Sequence, residues 1–227
     1  MSDTDRPGGY ASSPCMAAEI APDYFDPLAT DRQQAQDVAL WRKAQRGALL
    51  EARPGAAQRL PIAQALAKHL DALLAERFGD LKGQVVSGYW PIKSEADLRP
   101  WMLRLMRGGA TMALPVVAAR AAPLVFRPWT IDMPMRRGHW NILEPDTDDT
   151  VIPTIALAPL VGWDGKGYRL GYGGGYFDRT LAVLQPPAFA IGVGFQGARL
   201  RTIYPQPHDI RLDAIVTEAG MQWSAMS

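Results

Sequence analysis

Seven glycines, Gly162, Gly165, Gly167, Gly171, Gly173, Gly174 and Gly175, fall in the short stretch that ends with Tyr176, Phe177, Asp178 and Arg179. Successive glycines let backbone N–H groups approach an anion with no Cβ in the way, and a helix opening near Tyr176 would add unpaired N–H groups and the positive end of its dipole. Phosphate is the natural guest of such a cradle. Arg169 and Arg179 flank it with charge, and Asp178 offers a hard oxygen suited to Mg²⁺. A flexible glycine linker is the alternative, but a linker would not hold Tyr, Phe, Asp and Arg between two well-formed elements. The loop is not a Walker A motif, because no Gly-Lys-Ser/Thr follows, and no strand runs directly into a Gly-x-Gly-x-x-Gly fingerprint.

Other chemistry-bearing residues are scattered. Arg42, Lys43 and Arg46 sit at helical spacing, which usually means a solvated face. Glu95 reads as the N-terminal acid of a helix, and Trp90 and Trp140 read as core aromatics or as ring-stacking platforms. His69, His139 and His208 are too dispersed for a metal motif, and only His139, beside Trp140, adjoins a candidate substrate segment. Asp213 alone reads as a strand-entry residue.

The elements that must position these groups alternate. A helix is expected from Asp31, with Val38, Leu40, Trp41, Leu49 and Leu50 as apolar positions, until Pro54 and Gly55 stop it. A second helix is expected over 60–78, ended by Gly79. Strands are expected over 84–90, 111–117, 123–129, 154–161, 189–195 and 214–217, and helices over 95–106 and 176–184. The run 154–161 is apolar almost throughout, as a strand buried on both faces should be. The alternation predicts an α/β fold: a single three-layer α/β/α domain over 31–227 with a mainly parallel open sheet, preceded by an extended, mobile arm over 1–30. The glycine loop would then lie outside the carboxyl ends of the strands, where open α/β sheets bind ligands.

Composition fits that frame. The chain has 227 residues, 48% of them hydrophobic and 21% charged, and 24 Lys and Arg against 23 Asp and Glu leave a net charge of +1. A chain of this mass buries about 70% of the surface it exposes when unfolded, so no disulfide or metal staple is needed. The single cysteine, Cys15, cannot form an internal disulfide, and residues 1–10 lack an apolar signal segment, so a cytoplasmic location is expected. The near-neutral charge without a basic block argues against nonspecific nucleic-acid binding, and no apolar run approaches the roughly 20 residues of a membrane span. A small molecule is the expected partner, and a monomer the expected unit.

Taken together, the run of Arg169, Leu170, Gly171, Tyr172, Gly173, Gly174, Gly175, Tyr176, Phe177, Asp178 and Arg179 resembles the signature of the 5-formyltetrahydrofolate cyclo-ligase family, also called 5,10-methenyltetrahydrofolate synthetases. Further landmarks occur in the family's order over about 37–218. They are Arg42 and Arg46, Tyr89 and Trp90 through Glu95, Leu114 and Pro115, Trp140 through Pro145, and His208 through Glu218. The chain departs from the family where Tyr172 or Gly174 stands in place of a frequent basic residue, where Phe177 replaces a tyrosine, and where Arg42 replaces a lysine.

The resemblance implies an enzyme that uses Mg-ATP to convert 5-formyltetrahydrofolate to 5,10-methenyltetrahydrofolate, releasing ADP and phosphate. It implies Arg42, Lys43, Arg46 and residues 169–177 as the ATP site, with Arg169 and Tyr176 catalytic. It implies Trp90, Glu95, Trp140 and residues 172–176 at the folate, and Asp178 with Asp213 at Mg²⁺. Glu95 can accept from the amino and ring N–H groups of a pterin in a bidentate way, and Trp90 or Trp140 can stack on its flat ring. Two alternatives stay open: a non-catalytic folate- or nucleotide-binding regulator of the same family, and a sugar-phosphate isomerase-like enzyme.

Overall fold

A computed structural model describes residues 32–225, so the arm expected over 1–30 lies outside the described residues. Helix α1 (Arg32–Glu51) stops just ahead of Pro54. Helix α2 (Ala56–Phe78) buries Ala63, Leu66, Leu70, Leu73 and Leu74 at the spacing of one helical face. It begins four residues earlier than its apolar pattern. The Gln58 side chain accepts the Gly55 N–H at 3.1 Å and so satisfies an otherwise orphaned donor of the first turn.

The next strands and helix are β1 (Val85–Ser87), α3 (Arg99–Arg107), β2 (Thr111–Val116) and β3 (Val125–Pro128). A hairpin of β4 (Met135–Arg137) and β5 (Leu143–Pro145) follows, then β6 (Ile155–Pro159), β7 (Gly162–Asp164), β8 (Arg169–Leu170) and α4 (Tyr176–Val183). The chain continues through β9 (Phe189–Val193), β10 (Arg199–Leu200), β11 (Ala214–Thr217) and β12 (Gly220–Ser224). Seven strands form one sheet in the order β12-β11-β9-β6-β1-β2-β3. The inner pairs β11/β9, β9/β6, β6/β1 and β1/β2 are parallel, and only the edge strands β12 and β3 run antiparallel. This is the mainly parallel open sheet of the expected α/β class. Ile155, Ala156, Leu157 and Ala158 of the central β6 are all fully buried, as a strand covered on both faces requires. Helix α2 packs on β11 and β12, and α3 packs on β2. No helix among the described residues is long and apolar enough to cross a membrane.

Two segments depart from the expected pattern. Helix α3 begins at Arg99 rather than at Glu95, because residues 92–98 form a loop in which Lys93 (φ 46°) and Ser94 (φ 66°) are left-handed. Tyr89 pins that loop by donating its buried hydroxyl to the Ala96 carbonyl at 2.8 Å. Within the glycine-dense stretch, β7 and β8 pair, and β10 joins them in a small second sheet that turns the chain back over the large one. Apolar periodicity does not announce strands this short.

Asp164, fully buried at the end of β7, organises this small sheet. Its Oδ1 accepts the N–H groups of Lys166 (2.9 Å) and Tyr168 (3.2 Å), and its Oδ2 accepts that of Ile203 at 3.1 Å. Asp164→Ala leaves three N–H donors unpaired, that of Ile203 buried and those of Lys166 and Tyr168 partly so, and a loss of about 2–4 kcal/mol of stability is expected. Urea unfolding monitored by circular dichroism measures it, and an unchanged midpoint would show that these bonds are replaceable.

Candidate active site

The glycine-dense segment closes one wall of a cavity outside the carboxyl ends of β1, β2 and β6, whose nearby residues Tyr89, Trp90, Pro115, Val117 and Pro159 line its floor. Arg42 and Arg46 of α1, residues 169–178, Trp140, Ile142, His208 and Asp209 complete it. Parallel strands all point their carboxyl ends this way, which is why residues distant in sequence meet here.

Charge is concentrated at one end. Arg169 is 6% exposed. Its Nη2 pairs with Asp178 Oδ2 at 2.9 Å, while its buried Nη1 has no hydrogen-bond partner among the described residues. Burial pushes its basicity down, and the neighbouring carboxylates of Asp178 and Asp209 pull it back up. Arg46 donates from Nε to the Gly171 carbonyl at 2.8 Å. Burial and then repulsion by Arg42 lower its pKa, with Asp209 acting against both.

Arg42 is occupied differently. It donates to the carbonyls of Ile203 (2.9 Å) and Tyr204 (2.8 Å) and forms a two-pronged pair with Asp209. With four of its five donors spent, Arg42 clamps α1 to the segment 203–209 and thereby shapes the cavity. Lys43 does not share this face. It is exposed and outside the cavity lining, because one helical step turns it about 100° away from Arg42.

The loop itself has the backbone that glycine permits: Gly173 (φ 101°) and Gly175 (φ 63°) are left-handed, and Gly175 leads directly into α4. At Gly174 a Cβ would meet the Tyr176 ring at 2.7 Å, so the loop is tight as well as glycine-dependent there.

At the other end of the cavity Glu95 is 7% exposed. It caps no helix, since α3 starts four residues later. Its Oε2 accepts the Ile92 N–H at 2.9 Å and its Oε1 accepts the Tyr172 hydroxyl at 2.5 Å. Burial raises its pKa, and the hydrogen bonds of Tyr172 and Ile92 and the charges of Arg53 and Lys93 hold it back. Trp90 stands edge-on to Trp129 with the Arg99 guanidinium 4.7 Å from its ring centroid. Trp140 is 60% exposed at the rim with left-handed φ (53°), edge-on to Tyr176 at 5.5 Å and beside His139.

Of the two aspartates paired in the sequence as metal ligands, only Asp178 reaches the cavity. Asp213 precedes β11, and its Oδ2 accepts the Ala190 N–H at 2.7 Å. Both it and Ala190 therefore sit at the amino-terminal edge of the sheet, the wrong end for a ligand of this cavity. Sequence reasoning could have excluded it on that ground, since a residue entering a parallel strand always lies opposite the carboxyl ends. The second aspartate in the cavity is Asp209, four residues before Asp213, and the N–H of its neighbour Ile210 donates to Asp178 Oδ1 at 3.1 Å. Arg53 was also passed over; it contacts the rings of Tyr172 and Phe195 and bonds the Lys93 carbonyl at 2.5 Å.

Comparison with known proteins gives the architecture a family. The model of the 5-formyltetrahydrofolate cyclo-ligase family matches residues 38–218. A 5-formyltetrahydrofolate cyclo-ligase of Haemophilus influenzae is 28% identical over 156 residues, 66% of this chain and 81% of that protein. That of Escherichia coli is 30% identical over 146 residues, covering 61% and 80%. The NMR structure of the Aquifex aeolicus 5,10-methenyltetrahydrofolate synthetase superposes with a TM-score of 0.68 at 23% identity over 82% of this chain and 94% of that one. With four-fifths of its length matched and the fold shared, this chain belongs to the 5-formyltetrahydrofolate cyclo-ligase family.

Proposed function

We propose that this enzyme converts 5-formyltetrahydrofolate and ATP to 5,10-methenyltetrahydrofolate, ADP and phosphate, acting as a monomer in the cytoplasm. The observation that carries the reading is the buried guanidinium of Arg169. A nine-tenths buried cation with one carboxylate partner and one unpartnered nitrogen, beside a glycine loop, is built to meet an anion.

The chemistry follows from the substrates. An amide-like formyl oxygen is a poor leaving group, so N10 cannot displace it directly. Attack of that oxygen on the γ-phosphorus releases ADP and makes it a phosphate ester; N10 then adds to the formyl carbon, and phosphate leaves as the ring closes. Phosphoryl transfer asks a protein for alignment and charge neutralisation rather than a covalent nucleophile. Arg169 and Arg46 supply positive charge, and the loop 171–175 with the first turn of α4 supplies backbone donors. Tyr176, the first residue of α4, carries its ring from the loop toward Trp140 and borders the formyl group. Glu95 accepts the pterin's N–H pair and fixes its register. Trp90 and Trp140 border the flat ring and the benzoyl portion.

The donor set suits Mg²⁺, which takes one or two carboxylates together with phosphate oxygens and water. Asp178 and Asp209, which both line the cavity and are linked through the Ile210 N–H, are the residues that would hold it. Bound there, the ion would neutralise charge on the transferring phosphoryl group.

The direct test is absorbance of the methenyl product from 5-formyltetrahydrofolate, with ATP present and then omitted. Formation only with ATP is expected; binding of both ligands without turnover would indicate the regulator, and no binding of either would refute the reading. Arg46→Ala should raise the ATP KM about tenfold or more through loss of a charge-assisted contact, with the folate KM little changed. Arg42→Ala should instead cost about 3–5 kcal/mol of stability, because it strands the buried Asp209 carboxylate.

Glu95→Gln should raise the folate KM about tenfold or more. In the wild type, the folate KM should rise on the acid side at a pH above the ordinary glutamate range. Burial holds the Glu95 pKa high, and protonation removes an acceptor. Glu95→Gln should lack that limb, whereas a shared limb would assign it elsewhere. Asp178→Asn should slow turnover and recover in part at raised Mg²⁺; indifference to Mg²⁺ would restrict Asp178 to holding Arg169.

A further inference from the structure

Tyr172 makes a contact that phosphate binding leaves unused. Its hydroxyl reaches 77 residues back along the chain to Glu95 Oε1, at 2.5 Å. Its ring lies 5.5 Å from the Arg53 guanidinium and 5.4 Å from the Lys93 ammonium, measured to the centroid. Its immediate neighbour, Gly171, accepts from Arg46 at 2.8 Å. Two consecutive residues of the glycine loop are thus bonded to the two ends of the cavity, one to the carboxylate assigned to the pterin and the other to an arginine assigned to phosphate.

We infer that Tyr172 is a positioning residue that occupies Glu95 until folate displaces its hydroxyl, and that this release couples folate binding to the phosphate loop. The inference rests on the reading of Glu95 as the pterin's anchor. A carboxylate this buried is costly without donors, and in the free enzyme the Tyr172 hydroxyl and the Ile92 N–H are those donors. A pterin presents a 2-amino N–H and a ring N–H side by side, and pairing both with the carboxylate requires Oε1 and Oε2 together. The Tyr172 hydroxyl stands on one of them.

Displacing it moves the loop at its second residue. The motion has room, because no described residue lies within 4 Å of where a Gly171 Cβ would stand and Gly173 is already left-handed. Movement of the loop takes the Gly171 carbonyl off Arg46 Nε and frees that N–H for phosphate. Ligands couple two sites only through a contact that differs between states, and the Tyr172–Glu95 bond is that contact. The hydrogen bond also opposes protonation of Glu95, which keeps the carboxylate ready as an acceptor.

Tyr172→Phe removes one oxygen and leaves the ring between Arg53 and Lys93. Calorimetric titration of the full chain with 5-formyltetrahydrofolate and with a non-hydrolysable ATP analogue, each alone and with the other saturating, tests the inference. In the wild type, folate should tighten the analogue by about fivefold. In Tyr172→Phe, folate alone should bind about three- to tenfold tighter than in the wild type. The variant's analogue affinity should no longer respond to folate. Weaker or equal folate binding by the variant, or retention of the wild-type coupling, would overturn the inference. Glu95→Gln separates it from the reading beneath: normal folate affinity in that variant would remove Glu95 as the anchor and the inference with it, whereas weakened affinity leaves Tyr172→Phe as the deciding measurement.

Discussion

A guanidinium held out of water must be balanced by anions or hydrogen-bond acceptors, and Arg169 has only part of what it needs. Asp178 satisfies one side, while Nη1 is buried with no partner among the described residues. Much of the cavity follows from placing that charge. Strand β8 carries it inward against β7, and Asp164 locks the connecting turn through the N–H groups of Lys166 and Tyr168 and ties it to Ile203 through a third. The first turn of α4 brings Asp178 back to it. The segment 203–209 brings Asp209 near it and, through Arg42, fastens α1 over the same end of the sheet. The site is therefore a set of local elements tied to one another by charged side chains rather than an apolar pocket with polar decoration.

The two ends of the cavity follow different rules. At the end proposed for phosphate the cations and carboxylates lie close together, so each pair screens the other, and an incoming triphosphate would redistribute bonds that already exist. At the end proposed for the pterin a single carboxylate lies beside Tyr89, Ile92 and Tyr172, where burial raises the pKa of Glu95 and the hydroxyls of the buried Tyr89 and the half-buried Tyr172 are likewise pushed up. One loop touches both ends. Its glycines are needed for shape at Gly173 and Gly175, where φ is positive, and its tyrosines are needed for reach.

The sheet and the glycine loop were legible because they rest on long-range regularities: apolar runs of strand length, a breaker after each helix, and glycine density ahead of a helix. What escaped was set by tertiary contacts. Glu95 reads as a capping acid because it precedes an apolar helical run, yet the left-handed Lys93 and Ser94 delay α3 and leave the carboxylate in the cavity. Asp213 is legible as a strand-entry residue ahead of β11 and so belongs to the far edge of the sheet, whereas nothing local marks Asp209, in a loop, as the aspartate that reaches the cavity. Arg42 looked like a partner of Arg46 in binding, but its donors are claimed by carbonyls and a carboxylate some 160 residues away. Strands of two or three residues, such as β7, β8 and β10, exist because the large sheet and Asp164 hold them, and they carry no period of their own.

The central claim is that the unpartnered side of Arg169, together with the loop 171–175, is a phosphate site. A crystal structure of the full chain with 5-formyltetrahydrofolate and a non-hydrolysable ATP analogue tests it most directly. The account requires a terminal phosphate oxygen within about 3 Å of Arg169 Nη1 and of at least one N–H of the loop. Phosphates seated more than about 6 Å from both, beyond any direct hydrogen bond, would contradict it.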